Sequence, residues 1–274
     1  MPKKMKITHI ILRIFGFRKP PPKTKFGKVW RVCDRAILIV ALGYLALWLN
    51  PQVLFGYSIS YDGFIVYARE PIPDGISSIL EDAKTKLTSS RLLEDDDNFR
   101  VFLCDSKAVF WLMSPFARHA FASSYPINDH IFVARADVST NTAGTYRTTN
   151  SRILSDVITH ECGHVLIARR LGRRTAYLKP SWIQEGYCEY LADSSTVSEE
   201  NGDAWILRGW EEKSVPLDYH LWRRMVEYLI TQENKDIQEL ISMPPDYNDI
   251  LTKTRDWIAG RENLPNEPDA GDTQ

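Results

Sequence analysis

The run His160-Glu161-Cys162-Gly163-His164 sets two imidazoles four residues apart, with a carboxylate next to the first. On an α-helix, at about 100° per residue, the two rings fall roughly 40° apart on one face and can share one metal ion. Glu161 flanks that face, close enough to take a proton from a metal-bound water. Cys162 points about 200° from His160, away from the metal. Such a set suits zinc-assisted hydrolysis; the plainer alternative is a helix with two hydrogen-bonded histidines.

A catalytic zinc takes three protein ligands and leaves a fourth place for water. The segment PSWIQEGYCEYLAD, Pro180 to Asp193, reads as the helix that supplies the third, with Ser181 and Gln184 in capping-box spacing. Glu185, in its first turn, is the candidate ligand. Glu189 follows one turn later on the same face and could accept the outer ring N–H of His160 or His164, or else face solvent. Cys188 could bind zinc directly, or bridge to Cys162; for both, a small buried thiol is the plainer reading.

These residues need rigid elements to hold them. NSRILSDVITHECGHVLIARRLG, Asn150 to Gly172, reads as one mostly buried helix of about five turns. Asn150 or Ser151 caps its start, and Ile153, Leu154, Val157, Ile158, Val165 and Leu166 form its apolar surface. Arg169 and Arg170 suit the negative end of the dipole, and Gly172 suits the residue past the end. Upstream, Asp74 to Ser90 has Ile76, Ile79, Leu80, Ala83 and Leu87 at helical spacing. Phe64 to Tyr67, Arg100 to Cys104 and His130 to Ala136 read as strands. Glu94 to Asn98 reads as a solvated turn, Ser139 to Asn150 as a loop, and Val197 to Pro216 as either a lid or a connection. Strands first and helices later predict an α+β fold with an N-terminal β-sheet lobe and a helical C-terminal part.

Charge is divided unevenly. Residues 1–35 carry eleven basic side chains against Asp34 alone, a net +10 that leaves −11 on the remainder of a chain of formal charge −1. The uncharged run AILIVALGYLALWL, Ala36 to Leu49, follows directly. Extended to Tyr57, with Trp48 and Tyr57 at the outer interface, it reaches the length of a membrane anchor. A cleaved signal peptide would not carry so long a basic lead, and a buried core helix would not explain one-sided charge. The expected organisation is a basic cytoplasmic segment (1–35), a transmembrane signal anchor (36–57), an outward-facing domain (58–259) and a disordered tail (260–274). Within the head, Ile7 to Phe17 reads as an apolar stretch on the inner membrane surface or as part of a disordered basic tail. Composition at 44% hydrophobic and 25% charged excludes a mainly disordered chain, four cysteines are too few for a disulfide-built fold, and the acidic body gives no support to nucleic-acid binding.

HECGH, a short connection and then WIQEGYCEYLA resembles the gluzincin metallopeptidases, whose signature is H-E-x-x-H followed by a helix bearing E-G-x-x-E-Y or a close variant. The clear match covers Ser151 to Asp193; YHLWRRMVEYL, Tyr219 to Leu229, is similar to the helix that follows in many such enzymes. The resemblance implies a zincin-like catalytic domain with Zn2+ on His160, His164 and Glu185, Glu161 as base, and a peptide or protein substrate. It also implies that Tyr219 corresponds to the tyrosine that supports the tetrahedral intermediate; Tyr219 as an aromatic packing residue and His220 in that role stay open. The G-x-M-E-N segment of the aminopeptidase branch is missing, which tilts the expectation to an endopeptidase. The family fold places an edge strand beside the metal to pair with extended substrate, and His130 to Ala136 is the candidate. Two other functions fit the same residues: a non-catalytic zinc domain that binds a partner, and a zinc hydrolase of a non-peptide amide.

Overall fold

The computed structural model describes residues 24–125, 127–174, 181–194, 197–209 and 214–262. The chain forms two compact units, Met1–Leu54 and Phe55–Gln274.

In the first unit, α1 (Lys25–Leu49) is a single helix. Its stretch Lys28–Leu49, 22 residues with mean hydropathy 1.9, is long and apolar enough to cross a membrane. The span begins earlier and ends earlier than 36–57. Asn50 precedes Pro51, a position that disfavours helical backbone, and its side chain folds back to donate to the Ala46 carbonyl at 3.0 Å. Pro51–Leu54 is a short 3-10 turn, and Tyr57 opens a β-strand rather than anchoring a helix end. Ile7 to Phe17 lies outside the described residues.

The second unit is α+β. β1 (Tyr57–Tyr61) and β2 (Phe64–Ala68) form a hairpin. Asp62 (φ 35°) and Gly63 (φ 83°) make its turn, both in the left-handed region that tight hairpins require. α2 (Ile76–Leu87) follows, and its buried residues are the five the periodicity picks out, Ile76, Ile79, Leu80, Ala83 and Leu87. β3 (Phe99–Leu103), α3 (Lys107–Met113), β4 (Ala122–Tyr125) and β5 (His130–Val133) complete a mixed sheet of order β1-β2-β3-β5-β4. β2, β3 and β5 run parallel, while the outer strands β1 and β4 are antiparallel to their neighbours.

Two expectations are corrected here. His130 to Ala136 is not one edge strand. It divides into β5, which is interior, and β6 (Arg135–Asp137), which belongs to a second sheet. The edge strand beside the H-E-x-x-H helix is β4, whose sequence ASSY is too short and polar to announce itself. Nor is Ser139 to Asn150 only a loop: β7 (Thr142–Gly144) pairs with β6 and with β8 (Ser151–Ile153).

β8 also shortens the next helix, α4 (Leu154–Leu171), which starts after Ile153 rather than at Asn150. Its cap comes from across the sheet. Asn141, at φ 49°, accepts the Leu154 N–H on its carbonyl (2.9 Å) and the Ser155 N–H on its side chain (3.2 Å). At the other end, Arg169 and Arg170 do more than face a dipole. Both bind Asp97, a buried carboxylate in the turn expected to be solvated, at 3.0 and 2.6 Å. Gly172 takes φ 90° past the helix end.

The helical part comprises α5 (Ser181–Ala192), α6 (Glu199–Leu207), α7 (Val215–Thr231), α8 (Ile237–Ser242) and α9 (Tyr247–Glu262). Pro180 and the Ser181 side chain, hence the capping box, lie outside the described residues. α6 fills part of Val197 to Pro216, and α9 carries Gly260 to Glu262, residues assigned to the tail, on as helix. α4, α5 and α7 pack side by side. Gly186 makes this possible: a Cβ there would stand 2.3 Å from the Trp222 carbonyl oxygen, so only glycine lets α5 and α7 approach so closely.

Candidate metal centre

α4 and α5 bring the predicted ligand residues to one point. Nε2 of His160 and Nε2 of His164 lie 3.2 Å apart. Oε2 of Glu185 is 3.3 Å from the first and 3.4 Å from the second. Three lone-pair atoms thus form a nearly equilateral triangle, with two rings from one helix and a carboxylate from the next. Cys188 is also near: its Sγ and one ring nitrogen each from His160 and His164 all lie within 4.8 Å of one another, and these three residues form a group that could hold a metal ion. Among the described cysteines, Cys33, Cys104, Cys162 and Cys188, all are free thiols. Burial first, then the Glu185, Glu161 and Glu189 carboxylates, push the Cys188 thiol well above its ordinary range, so it favours the neutral form. Its sulfur packs against Gly163, where an added Cβ would come within 2.8 Å of it.

Outside the triangle, Glu189 takes the position the sequence suggests. It is 1% exposed, and its Oε1 lies 3.0 Å from Nδ1 of His160. The approach is close but off-line: Nδ1 has no partner that meets full hydrogen-bond geometry. On its other side Glu189 is gripped by Arg152, which donates from Nη1 to Oε1 at 2.8 Å and from Nη2 to Oε2 at 2.9 Å. Nothing in the sequence pattern marks Arg152, because it sits on β8, 37 positions from Glu189 in the chain.

Electrostatics favour positive charge in this pocket. Burial disfavours the charged form of His160, but Glu185 and Glu189 outweigh it and push the pKa up to about 10. Burial likewise opposes ionised Glu185, yet His164 and His160 hold its carboxyl well below the usual range. For Glu189 the same contest, burial against His160 and Arg152, ends at about 2. Both carboxylates are therefore anionic at neutral pH.

Glu161 is buried, at 7% exposed, on α4 beside His160. Tyr219 reaches the site from α7, with its ring stacked on His160 at 6.3 Å between centroids and 22° between planes. Burial first, then the Glu185, Glu189 and Glu161 carboxylates, push its phenol pKa well up. It stays protonated and able to donate. His220, its competitor, faces elsewhere: its Nε2 lies 2.9 Å from Asp203 of α6, and its ring rests on Gly202. A scan against protein-family models found no match for this chain, and a search of curated proteins found none.

Proposed function

We propose that the chain is a membrane-anchored zinc metallopeptidase of gluzincin type that hydrolyses peptide bonds, as an endopeptidase. The observation that carries the reading is the triangle His160–His164–Glu185, with sides of 3.2, 3.3 and 3.4 Å. Tetrahedral zinc with nitrogen and oxygen ligands at about 2.0–2.1 Å requires ligand atoms about 3.3–3.4 Å apart. The donor set thus fits one face of that tetrahedron and leaves the fourth vertex open. When bound, the ion would act as a Lewis acid and lower the pKa of water at its open position.

The remaining roles belong to the chain. Glu161, buried beside the ligands, takes the proton of the attacking water and delivers it to the leaving amine. Tyr219, kept protonated, donates to the oxygen that gains charge as the carbonyl becomes tetrahedral. Glu189 holds His160 so that Nε2 faces the triangle. The mixed sheet, with edge strand β4 beside α4, supports a zincin-like fold and gives an extended substrate a strand to pair with. The apolar span Lys28–Leu49 and the basic residues before it support a single-pass anchor with the N-terminus cytoplasmic and the catalytic unit outside.

One observation favours a second reading. Cys188 lies close enough to make a His160–His164–Cys188 centre that is purely structural, in a non-catalytic zinc domain that binds a partner. The two separate on one experiment: metal content by mass spectrometry, and cleavage of a broad peptide library, for the parent and Glu161→Gln. The catalytic reading expects one zinc per chain in both and a rate roughly 10²–10⁴-fold lower in Glu161→Gln. Equal cleavage by the two, or no cleavage by either, would overturn it.

A further inference from the structure

Arg152 stands at the centre with no task in the motif or in the proposed reaction. Its backbone is fixed by β8, where it pairs with Ala143 of β7, and β8 leads directly into α4. Its side chain is 11% exposed, and its guanidinium meets both oxygens of Glu189, at 2.8 and 2.9 Å. Oε1 of Glu189 is shared: Nη1 of Arg152 and Nδ1 of His160 (3.0 Å) converge on it. A second contact, from Nη2 to the Ser194 carbonyl at 3.5 Å, reaches past the end of α5. The planar fork can bond both carboxylate oxygens at once only in one plane, so it sets the rotation of the Glu189 carboxylate. That rotation decides whether an oxygen is presented to Nδ1 of His160, and an oxygen there favours a proton on Nδ1, so that Nε2 is the nitrogen that can be given to a metal. Charge points the same way. Without a cation beside it, a buried Glu189 would have to share His160 with Glu185 as its sole counter-charge.

We propose that Arg152 is a positioning residue of the metal centre, locking Glu189 so that Glu189 in turn orients His160 for metal. This rests on the reading of His160 as a zinc ligand. The test uses the full chain in detergent, with Zn2+ affinity from chelator competition and the visible spectrum of the Co2+-loaded protein. Arg152→Gln is expected to weaken Zn2+ binding roughly 10- to 100-fold and to shift the Co2+ bands, as loss of a ligand's supporting partner does. Arg152→Lys, whose single ammonium cannot span both oxygens, is expected to fall between parent and Arg152→Gln, and it carries the test if Arg152→Gln does not fold. Because Arg152 acts through Glu189, Arg152→Gln/Glu189→Gln is expected to bind no more weakly than Glu189→Gln alone. Zinc affinity within two-fold of parent, with unchanged Co2+ bands and only a lowered melting temperature, would make Arg152 a structural residue and overturn the inference. So would full additivity in the double variant. A parent that binds no zinc at all fails differently: it removes the proposed function first.

Discussion

Among the described residues, histidine is buried among carboxylates and arginine at two places, and the two are built to opposite ends. Under α6 and α7, His220 is fully buried and its Nε2 meets Oδ1 of Asp203 at 2.9 Å, while Arg224 takes Oδ2 at 2.7 Å. Arg224 also reaches Glu227 and Glu199, at 2.8 and 3.1 Å. Each carboxylate oxygen of Asp203 has its donor, and Gly202 lies flat on the ring. That cluster is closed around Asp203, although Nδ1 of His220 and Nε of Arg224 have no hydrogen-bond partner. At the candidate metal centre the same residue types diverge in one respect: two ring nitrogens point at each other and at one carboxylate, 3.2–3.4 Å apart, so that three possible ligand atoms meet at one point. The Glu185 and Glu189 carboxylates hold a proton on His160 there, the positive charge that a metal ion would replace. The arginine differs as well. Arg224 satisfies the carboxylate that touches its histidine's Nε2, whereas Arg152 satisfies the one behind Nδ1, and Nε2 faces His164 and Glu185. Composition does not separate a packing cluster from a group that could hold a metal ion; the direction of the nitrogens does.

The largest effect that would break this contrast concerns the histidines themselves. His164→Ala removes one corner of the triangle and is expected to weaken zinc binding by at least about 10³-fold, abolishing cleavage. His220→Ala is expected to leave one zinc per chain and to cost about 1–3 kcal/mol of stability, because a buried acceptor on Asp203 loses its donor. Metal analysis and thermal melts of both variants check the pair. Zinc lost on His220→Ala, or kept on His164→Ala, would erase the distinction.

How far the sequence discloses each cluster follows from how local it is. The meeting of the two rings is set by helical spacing, so the approach of His160 and His164 is legible from four residues of separation, and that of Glu185 from the helix pattern after them. The core face of α2 is legible for the same reason, all five of its buried residues standing at helical intervals. What fails is whatever depends on partners distant in the chain. Asp97 looks like one acid of a polar turn, yet arginines more than 70 positions away bury it. β4, β7 and β8 are three or four residues each with little apolar content, and exist because neighbouring strands pair with them. Interior β5 has all four residues buried, which reads as a strand but says nothing about whether it lies at an edge. Arg152 is invisible for the same reason as Asp97. Tyr219 lies between the cases: its type is suggestive, but its place over His160 depends on how tightly α7 can close on α5 at Gly186.

A smaller effect sharpens the comparison from the closed side. A methyl group at Gly202 would meet three ring atoms of His220 at 2.3, 2.4 and 2.7 Å. Neither a buried helix backbone nor a ring held by Asp203 yields easily, so Gly202→Ala is expected to destabilise by about 1–3 kcal/mol despite the better helix propensity of alanine. Zinc affinity of the folded fraction is expected to stay at the parent value. A melt read with and without chelator checks both statements, since the loss should be the same size in each.

The smallest expected effect falls on Cys188, the residue at which the two kinds of cluster come closest to merging. If Glu185 is the third ligand, Cys188 serves packing. Its sulfur then fills the dent left by Gly163, and Cys188→Ala is expected to bind zinc within about two-fold of parent and to cost on the order of 1 kcal/mol. The packing role has its own signature. Gly163→Ala alone places a Cβ 2.8 Å from that sulfur and must strain the contact; with Cys188→Ala the nearest remaining neighbours are backbone and Cβ atoms of residue 188 at 3.4 Å. The double variant is therefore expected to be more stable than the sum of the single effects, the mark of two side chains competing for one space. Denaturant unfolding of the four proteins measures that coupling. Zinc release on Cys188→Ala would instead make the sulfur a ligand, close the fourth position, and turn the open centre into a second structural cluster.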